Sequence, residues 1–271
     1  MSPLWRDEIG LYVAPRRIAL SRMKRGLRPT CAAEQNIVVE TRDTTQWEGA
    51  LESLKTCLED AAWRDAKVRL IISDHWARYA IVPWSDALSD QAERIQHARY
   101  CMATTYGDVV SQWTVTLSDG APGLQQVACA IPTELLGRIE ALCEPHGLQV
   151  QSVQPQLIAA FNAWRRKLPH GGAWFVTLDE GSLAAAHFTP ANWDCVRSAR
   201  IGNDWEIELK RLKTFGRLAR TQAEDGRVYV DAPQWLREKA LDADDAIVWL
   251  EDGADSKATP ERFALLQRMY A

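Results

Sequence analysis

The stretch Ile9-Gly-Leu-Tyr-Val-Ala-Pro-Arg-Arg-Ile-Ala-Leu20 contains two short apolar runs on either side of a Pro15–Arg16 pair. Ile18 and Leu20 alternate with smaller residues, which is the period of a half-buried strand. The proline marks a turn between the two runs, since its fixed φ suits a turn position. With a third strand expected at Ile37–Thr41, the stretch predicts a three-stranded meander near the start of the chain.

A similar order of elements begins near Ala173. The stretch Trp174-Phe-Val-Thr-Leu-Asp-Glu-Gly-Ser-Leu-Ala-Ala-Ala-His-Phe188 predicts two strands around an acidic turn, and Trp193–Ala199 predicts a third. A helix and then a strand are expected after each meander. We therefore expect an α/β protein of two lobes, 1–170 and 171–271, because the Pro- and Gly-containing stretch 168–172 is the best candidate for a boundary.

Several helix starts are also expected from the sequence. Thr45 and Glu48 form a capping-box pattern for the first helix. Pro132 and Pro155 are expected in the first turn of two later helices. Further helices are predicted at 235–240 and 260–269.

The composition excludes some classes of protein. The chain has 271 residues, of which 46% are hydrophobic and 25% charged, as in an ordinary globular protein. The net charge of −4 argues against a nucleic-acid binder held by phosphate contacts. No signal peptide and no run of 18 apolar residues is found, which predicts a cytoplasmic protein. The six cysteines are scattered, which favours reduced and mostly buried thiols.

Other candidate sites have simpler interpretations. Asp74, His75 and Trp76 are consecutive and lie between two predicted strands. An Asp–His pair can orient an imidazole for base catalysis, but such a sequence more commonly forms a plain turn. No two histidines have the i, i+4 spacing of metal ligands on a helix, so no metal is expected. Two basic clusters are interpreted as solvated surface or as contacts for acidic partners or anionic lipid. They comprise Arg165, Arg166 and Lys167, and Lys210, Arg211, Lys213, Arg217 and Arg220.

The two meanders in this order resemble the actin-like ATPase fold, a duplicated ribonuclease-H-like architecture. Within it, the chain is most similar to the PilM-like, GspL-like and MshI-type proteins of type IV pilus and type II secretion assembly. The two quoted stretches carry the resemblance, together with Gln151-Ser-Val-Gln-Pro-Gln-Leu-Ile-Ala-Ala-Phe161. It covers about residues 8–220.

In the family each meander turn is a phosphate loop, in which an acid and a glycine let backbone N–H groups approach ATP. The first loop here has Tyr12 and Ala14 in place of the acid and the glycine, and Pro15 has no N–H to donate. The second keeps Asp179, Gly181 and Ser182. That trio fits a degenerate phosphate loop that contacts nucleotide, and it fits a plain hairpin turn equally well.

A third element of the family, a glycine-rich adenosine-binding stretch, has one candidate, Glu251–Ala254. Its acidic residues do not favour a nucleotide. The resemblance therefore implies a pseudo-ATPase with no catalytic residues and no ATP or Mg²⁺ cofactor.

As its function, the resemblance implies a scaffold on the cytoplasmic face of an inner membrane, peripheral to it. Its expected partners are the short N-terminal cytoplasmic segment of a bitopic membrane protein and other platform proteins, with no nucleic acid. The alternative is an active ATPase or phosphotransferase of the actin and sugar-kinase superfamily. A buried Tyr12 that fills the space at the first loop would argue against that alternative.

Overall fold

A computed structural model of the chain describes residues 7–24, 30–41, 43–88, 90–189, 192–202, 205–218, 227–233, 247–251 and 265–266. The first sheet has five strands, which are β1 (Glu8–Ala14), β2 (Arg17–Lys24), β3 (Thr30–Val38), β4 (Lys67–Ile72) and β8 (Gln149–Pro155). Their spatial order is β3-β2-β1-β4-β8. The meander β1-β2-β3 is antiparallel, whereas β1, β4 and β8 run parallel.

The second sheet repeats this plan. Its strands are β9 (Ala173–Asp179), β10 (Ser182–Phe188), β11 (Trp193–Arg200), β12 (Val228–Asp231) and β13 (Ile247–Trp249), in the order β11-β10-β9-β12-β13. Again the meander is antiparallel and the three strands β9, β12 and β13 are parallel. The predicted duplication, with a meander that opens each half, is therefore confirmed.

The third strand of the first meander was predicted at the wrong place. It spans Thr30–Val38 and not Ile37–Thr41. Most of its residues are exposed or half-buried, and the polar run Glu34-Gln-Asn36 lies within it. Backbone pairing with β2 holds this edge strand in place, so its sequence carries little apolar alternation.

A third sheet has the order β5-β7-β6, with β5 (Arg78–Val82), β6 (Trp113–Leu117) and β7 (Gln126–Pro132). Helix α2 (Gln91–Tyr106) covers it through Ala98 and Met102. The helix ends at its C-cap Gly107, where φ is 75°. A 3₁₀ helix at Gly107–Gln112 connects α2 to β6.

The remaining helices are α1 (Glu48–Leu58), α3 (Thr133–Cys143), α4 (Gln156–Trp164) and α5 (Trp205–Leu218). The predicted capping box is wrong, because α1 begins at Glu48, and Trp47, at its N-cap, makes no side-chain cap bond. Pro132 and Pro155 were predicted in the first turns of two helices. They are instead the last residues of β7 and β8. No helix among the described residues is both long and apolar enough to cross a membrane.

The predicted helix at 235–240 lies outside the described residues. Of the predicted helix at 260–269, residues 265 and 266 are described, and both are helical.

The chain forms two compact units. The first comprises residues 1–76, 134–163 and 252–271, and the second comprises 77–133 and 164–251. Each five-stranded sheet belongs to one unit. These units are compact by their internal contacts, whereas the lobes 1–170 and 171–271 were predicted from the repeated order of elements. The lobe boundary at residue 170 therefore stays a prediction.

The described thiols are mostly buried, as predicted. Four of the six cysteines are buried, Cys101 is half-buried, Cys31 is exposed, and none forms a disulfide. Burial raises the pKa of the Cys57 thiol to about 11, and the Asp60 carboxylate adds to the shift. Burial also raises the pKa of the Cys143 thiol to about 11, and the Glu140 carboxylate adds to the shift.

The central strands of both large sheets are buried along their whole length. All seven residues of β1 and all seven of β9 are buried. At Gly10 in β1 the packing is so close that an added Cβ would lie 3.1 Å from a methyl carbon of Leu266 and 3.1 Å from the hydroxyl oxygen of Ser21. A methyl group at this position would therefore require Leu266 or Ser21 to move by a few tenths of an ångström.

We expect Gly10→Ala to lower the free energy of unfolding by about 1–3 kcal/mol, because the methyl group overpacks the core. The matched control is Gly137→Ala in α3, where an added Cβ meets nothing within 4 Å. That change should stabilise the protein by about 0.5–1 kcal/mol, since alanine is the better helix former. Urea unfolding measures both, and equal stabilities for the two variants would contradict the packing at Gly10.

Candidate functional site

The first hairpin turn connects β1 to β2. Ala14 pairs with Arg17, so Pro15 and Arg16 form a two-residue turn. Pro15 is buried and Arg16 is exposed. The carbonyl of Arg16 accepts a hydrogen bond from the backbone N–H of Val39 at 2.9 Å. Because Pro15 has no N–H, this turn offers fewer backbone donors to a phosphate than a glycine turn would.

Tyr12 lies two residues before the end of β1, at the position where the resemblance expects the metal-positioning acid. Its side chain is 1% exposed. The phenol donates a hydrogen bond to Oε1 of Gln156 at 2.9 Å, and Gln156, the first residue of α4, is itself 1% exposed. An aromatic ring in the core thus takes the place of a carboxylate, and its one polar atom is bonded to the protein itself.

The turn after β4 also contacts the beginning of α4. Asp74, His75 and Trp76 form a turn, as predicted, and all three are buried. Oδ1 of Asp74 accepts a hydrogen bond at 3.2 Å from the backbone N–H of Leu157, the second residue of α4. The Asp74 carboxylate therefore satisfies one of the free N–H groups in the first turn of that helix.

Ser73 completes the turn after β4. Its hydroxyl lies 3.2 Å from Nδ1 of His75, and its backbone N–H donates to the carbonyl of Val13 at 3.0 Å. Asp74 therefore bonds to the start of α4, and His75 lies against the Ser73 hydroxyl. Nothing in this geometry requires His75 to act as a base.

These contacts form one cluster at the carboxyl edge of the first sheet. The three parallel strands β1, β4 and β8 end at this edge, and each contributes a buried polar group at or near its end. The cluster comprises Tyr12, Ser73, Asp74, His75 and Gln156. Ligands of α/β proteins bind outside the carboxyl ends of parallel strands. In this unit Tyr12 bonds to Gln156 at that edge, Ser73 lies against His75, and Asp74 accepts from the backbone of Leu157.

The second hairpin turn connects β9 to β10. Asp179 pairs with Ser182, and Glu180 and Gly181 form the two-residue turn, in which Gly181 has a φ of 81°. The Asp179 carboxylate accepts a hydrogen bond from the N–H of Glu180 at 2.6 Å. Asp179 and Ser182 are 9% and 3% exposed. The structure thus brings the three predicted residues together in one turn, and their assignment as a degenerate phosphate loop stays a prediction.

Acidic residues lie at the carboxyl ends of three strands of the second sheet, whereas at the first edge Asp74 after β4 is the acid and Tyr12 lies near the end of β1. Asp179 ends β9, Asp231 ends β12, and Glu251 follows β13 and is exposed. No group of three or more potential ligands among the described residues could hold a metal ion. The rest of the predicted adenosine stretch, 252–254, lies outside the described residues.

The basic clusters lie at the surface where they are described. Arg165, Arg166 and Lys167 are exposed in the turn after α4, and the Lys167 ammonium lies 4.7 Å from the centre of the Trp164 ring. On α5, Lys210 and Arg211 are exposed. The side chains of residues 213 and 217, and residue 220 itself, lie outside the described part of the chain.

The sequence did not predict the buried polar cluster. Tyr12 and Gln156 are 144 residues apart, and no local pattern relates them. The one signal was chemical, namely a tyrosine at the position of the acid in the family.

Structural comparison relates the chain to proteins of known structure. The cytoplasmic domain of EpsL, an inner membrane component of the type II secretion system of Vibrio cholerae, is 9% identical, with a TM-score of 0.62 over 97% of this chain and 94% of that one. The PilM–PilN type IV pilus biogenesis complex gives 14% identity and a TM-score of 0.66 over 97% of both chains. A Bacteroides thetaiotaomicron protein of unknown function with an actin-like ATPase fold is 10% identical, with a TM-score of 0.61 over 98% of this chain and 99% of that one.

No family model and no curated protein matches the sequence. At these identities the structural likeness shows the fold. The protein has the actin-like ATPase fold in the form found in PilM and EpsL, as the two meanders predicted.

The bond between Tyr12 and Gln156 can be tested by a double-mutant cycle. We expect Tyr12→Phe to lower the free energy of unfolding by about 1–3 kcal/mol, because it leaves the buried Gln156 oxygen without this donor. Gln156→Leu should also destabilise, and the double variant should lose less than the sum, with a coupling energy of about 0.5–3 kcal/mol.

The control for this cycle is Tyr100→Phe on α2, whose side chain is 69% exposed. It should change stability by about 0.5 kcal/mol or less, as surface changes usually do. Urea unfolding measures all variants. If the losses in free energy of unfolding at positions 12 and 156 simply add in the double variant, the bond is contradicted.

Proposed function

We propose that the protein is a catalytically inactive actin-like scaffold of a type IV pilus or type II secretion platform. It works at the cytoplasmic face of an inner membrane and binds the short N-terminal cytoplasmic segment of a bitopic membrane partner, together with other platform proteins. The observation that carries this proposal is the buried Tyr12, bonded to Gln156, at the position where the fold would hold ATP phosphates and their metal.

Physical reasons favour the loss of nucleotide chemistry. A triphosphate site requires aligned backbone donors and a divalent cation whose position a carboxylate fixes. At the first turn a proline replaces a donor, and a phenol in the core replaces the carboxylate. A nucleotide that enters this edge would have to displace the Tyr12 ring and leave buried groups unpaired, which costs about 1–3 kcal/mol for each group.

The comparisons support a binding role. PilM is seen together with PilN in a pilus biogenesis complex, and EpsL is a component of a secretion system at the inner membrane. The same fold in this chain is therefore compatible with assembly by contact. A peptide can bind such a fold by strand addition or in a groove, for which no catalytic group is needed.

The alternative, an active ATPase or phosphotransferase, rests on the second turn. Asp179, Gly181 and Ser182 keep the residue types of a phosphate loop, and the positive φ of Gly181 gives a tight turn. The buried Tyr12 argues against this alternative, because it replaces the acid of the first phosphate loop. The second turn alone would then provide only one of the two loops that bind a triphosphate.

We expect no saturable heat when the protein is titrated calorimetrically with Mg–ATP up to millimolar concentration. Asp179→Asn should behave identically, because the single acidic turn binds too weakly to detect. Micromolar binding by the wild-type chain that is lost in Asp179→Asn would contradict the proposal and favour the enzyme.

For the partner, we expect saturable micromolar binding of a fluorescent peptide that corresponds to the N-terminal cytoplasmic segment of a small bitopic membrane protein of the same assembly system. Fluorescence anisotropy measures the affinity, which should not change on addition of Mg–ATP, since the first loop is filled. The control is a scrambled peptide of the same composition. Equal binding of both peptides, or a membrane-extract pull-down that recovers only abundant bulk proteins, would count against the scaffold.

A further inference from the structure

The outer edge of β3 is open. The strand lies at the end of the first sheet, and among the residues that the structure describes no strand pairs with the side of β3 that faces away from β2. It has nine residues, none of them a proline or a lysine, and Glu34 is its only charged residue. Edge strands are usually protected by such residues, because an open edge pairs with other strands. The edge of β3 can therefore accept a further strand.

The pairing with β2 determines where the backbone groups of β3 point. The N–H of Val39, the residue after β3, donates to the carbonyl of Arg16 at 2.9 Å. In an antiparallel ladder alternate residues bond to the same neighbour, so every second residue before Val39 also bonds to β2. The register shifts at Ala32, which leaves Ala33–Val38 as the regular part. The residues whose N–H and C=O groups point to the open edge are Glu34, Asn36 and Val38.

The second sheet shows how the corresponding edge is covered within this chain. The counterpart of β3 is β11, the third strand of the second meander. It lies against β5 of the third sheet, and the Gln125 side-chain amide donates to the carbonyl of Trp193, the first residue of β11, at 2.9 Å. One of the two equivalent strands thus has a sheet of the same chain beside it, whereas β3 ends its own sheet.

The side chains of β3 alternate between a covered and an exposed face. On the covered face, Oε1 of Gln35 accepts hydrogen bonds from Nε1 of Trp63 at 2.8 Å and from the thiol of Cys57 at 3.0 Å. On the other face Val38 is 73% exposed, although it is apolar. The exposed side chains of the regular part are Glu34, Asn36 and Val38. They belong to the residues whose backbone groups point to the open edge.

The residue types of β3 are nearly palindromic about Gln35. When two copies pair antiparallel with a twofold axis at Gln35, Glu34 of each copy lies opposite Asn36 of the other. Ala33 lies opposite Ile37 in the same way, so that polar residues meet polar residues and apolar residues meet apolar ones. Because the backbone groups of Glu34 and Asn36 point to the open edge, these residues form the hydrogen-bonded pairs. The edge is therefore complementary to itself in both backbone and side chains.

The two adjoining registers with the same backbone geometry are less favourable. With the axis at Glu34, the two Glu34 carboxylates would lie directly opposite each other, and like charges in that position destabilise a sheet. With the axis at Asn36, the Glu34 carboxylate would lie opposite the apolar Val38. The axis at Gln35 avoids both, since it places an amide opposite each carboxylate.

We propose that two copies of this chain associate through their β3 edges, as an antiparallel pair with the twofold axis at Gln35. The two first sheets then form one continuous sheet across the axis. Because the paired segments are short and the interface is small, we expect a weak dimer with a dissociation constant on the order of 100 μM. This inference goes beyond the proposed function, because it concerns the assembly of the chain with itself and does not depend on pili, on secretion or on nucleotide.

Sedimentation equilibrium of the full-length protein measures the association. Asn36→Glu should raise the dissociation constant by roughly 2- to 30-fold, because it places two pairs of carboxylates opposite each other across the axis. Asn36→Lys should lower the dissociation constant by a similar factor, and added salt should reduce both effects. Asn36 is exposed and its neighbour on β2 is Ala19, so both variants should fold.

A charge exchange tests the register. The double variant Glu34→Lys with Asn36→Glu should associate at least as tightly as the wild type, since it again places opposite charges across the axis. The matched controls are Gln151→Glu and Gln151→Lys. Gln151 is exposed on β8, the other edge of the same sheet, so these changes should leave the dissociation constant unchanged.

Amide hydrogen exchange, measured by NMR on the wild-type protein, locates the interface. The N–H groups of Glu34 and Asn36 should exchange more slowly as the protein concentration rises, because pairing takes them out of water. The N–H of Gln35 points to β2 and should not change. Slower exchange at Gln35 alone, with none at Glu34 or Asn36, would contradict the paired edge.

Two results of the sedimentation experiment would overturn the inference. One is a chain that stays monomeric up to millimolar concentration, in which case the edge would be open to an extended segment of another protein instead. The other is a dimer whose dissociation constant is the same in Asn36→Glu and Asn36→Lys, or changes equally in the Gln151 controls. Because no partner is present in these experiments, either result would leave the scaffold proposal and its peptide-binding test untouched.

Discussion

The carboxyl edge of the first sheet constrains the whole first unit. Three parallel strands end there, and their buried backbone groups and side chains need hydrogen-bond partners. The bond from Tyr12 to Gln156 and the bond from Leu157 to Asp74 meet this requirement with side chains from β1 and from the turn after β4. The start of α4 is thereby bonded to β1 and to the turn after β4.

The two large sheets show that strand order and edge chemistry are separate properties. Both have a meander followed by two parallel strands, and the pairing is repeated strand for strand. At the edge, the first sheet has the Tyr12 phenol near the end of β1 and the Asp74 carboxylate after β4, whereas the second has Asp179 and Asp231 at the ends of β9 and β12. Backbone hydrogen bonds determine the fold, and a few side chains at the strand ends determine what it can bind.

The fold was predictable because its signals are local. Alternating apolar residues with a turn at Pro15 or Gly181 identified both meanders, and their order indicated the duplication. The edge strand β3 was misplaced because Glu34, Gln35 and Asn36 carry no apolar pattern. The capping box failed because Thr45 belongs to an earlier turn, where its N–H donates to Asp43 at 2.8 Å. The polar cluster around Tyr12 was not predictable, since its members are distant in sequence.

If the protein binds no nucleotide, as we propose, a return to nucleotide binding would require several changes at once. Replacing Tyr12 by an acid would bury a charge near Asp74 and leave Gln156 without the phenol donor. Replacing Pro15 alone would restore an N–H, yet the Tyr12 ring would still occupy the site. Each single step towards an open loop therefore destabilises the core or gains no function. This coupling supports the proposal that the first edge serves as structure and not as a nucleotide site.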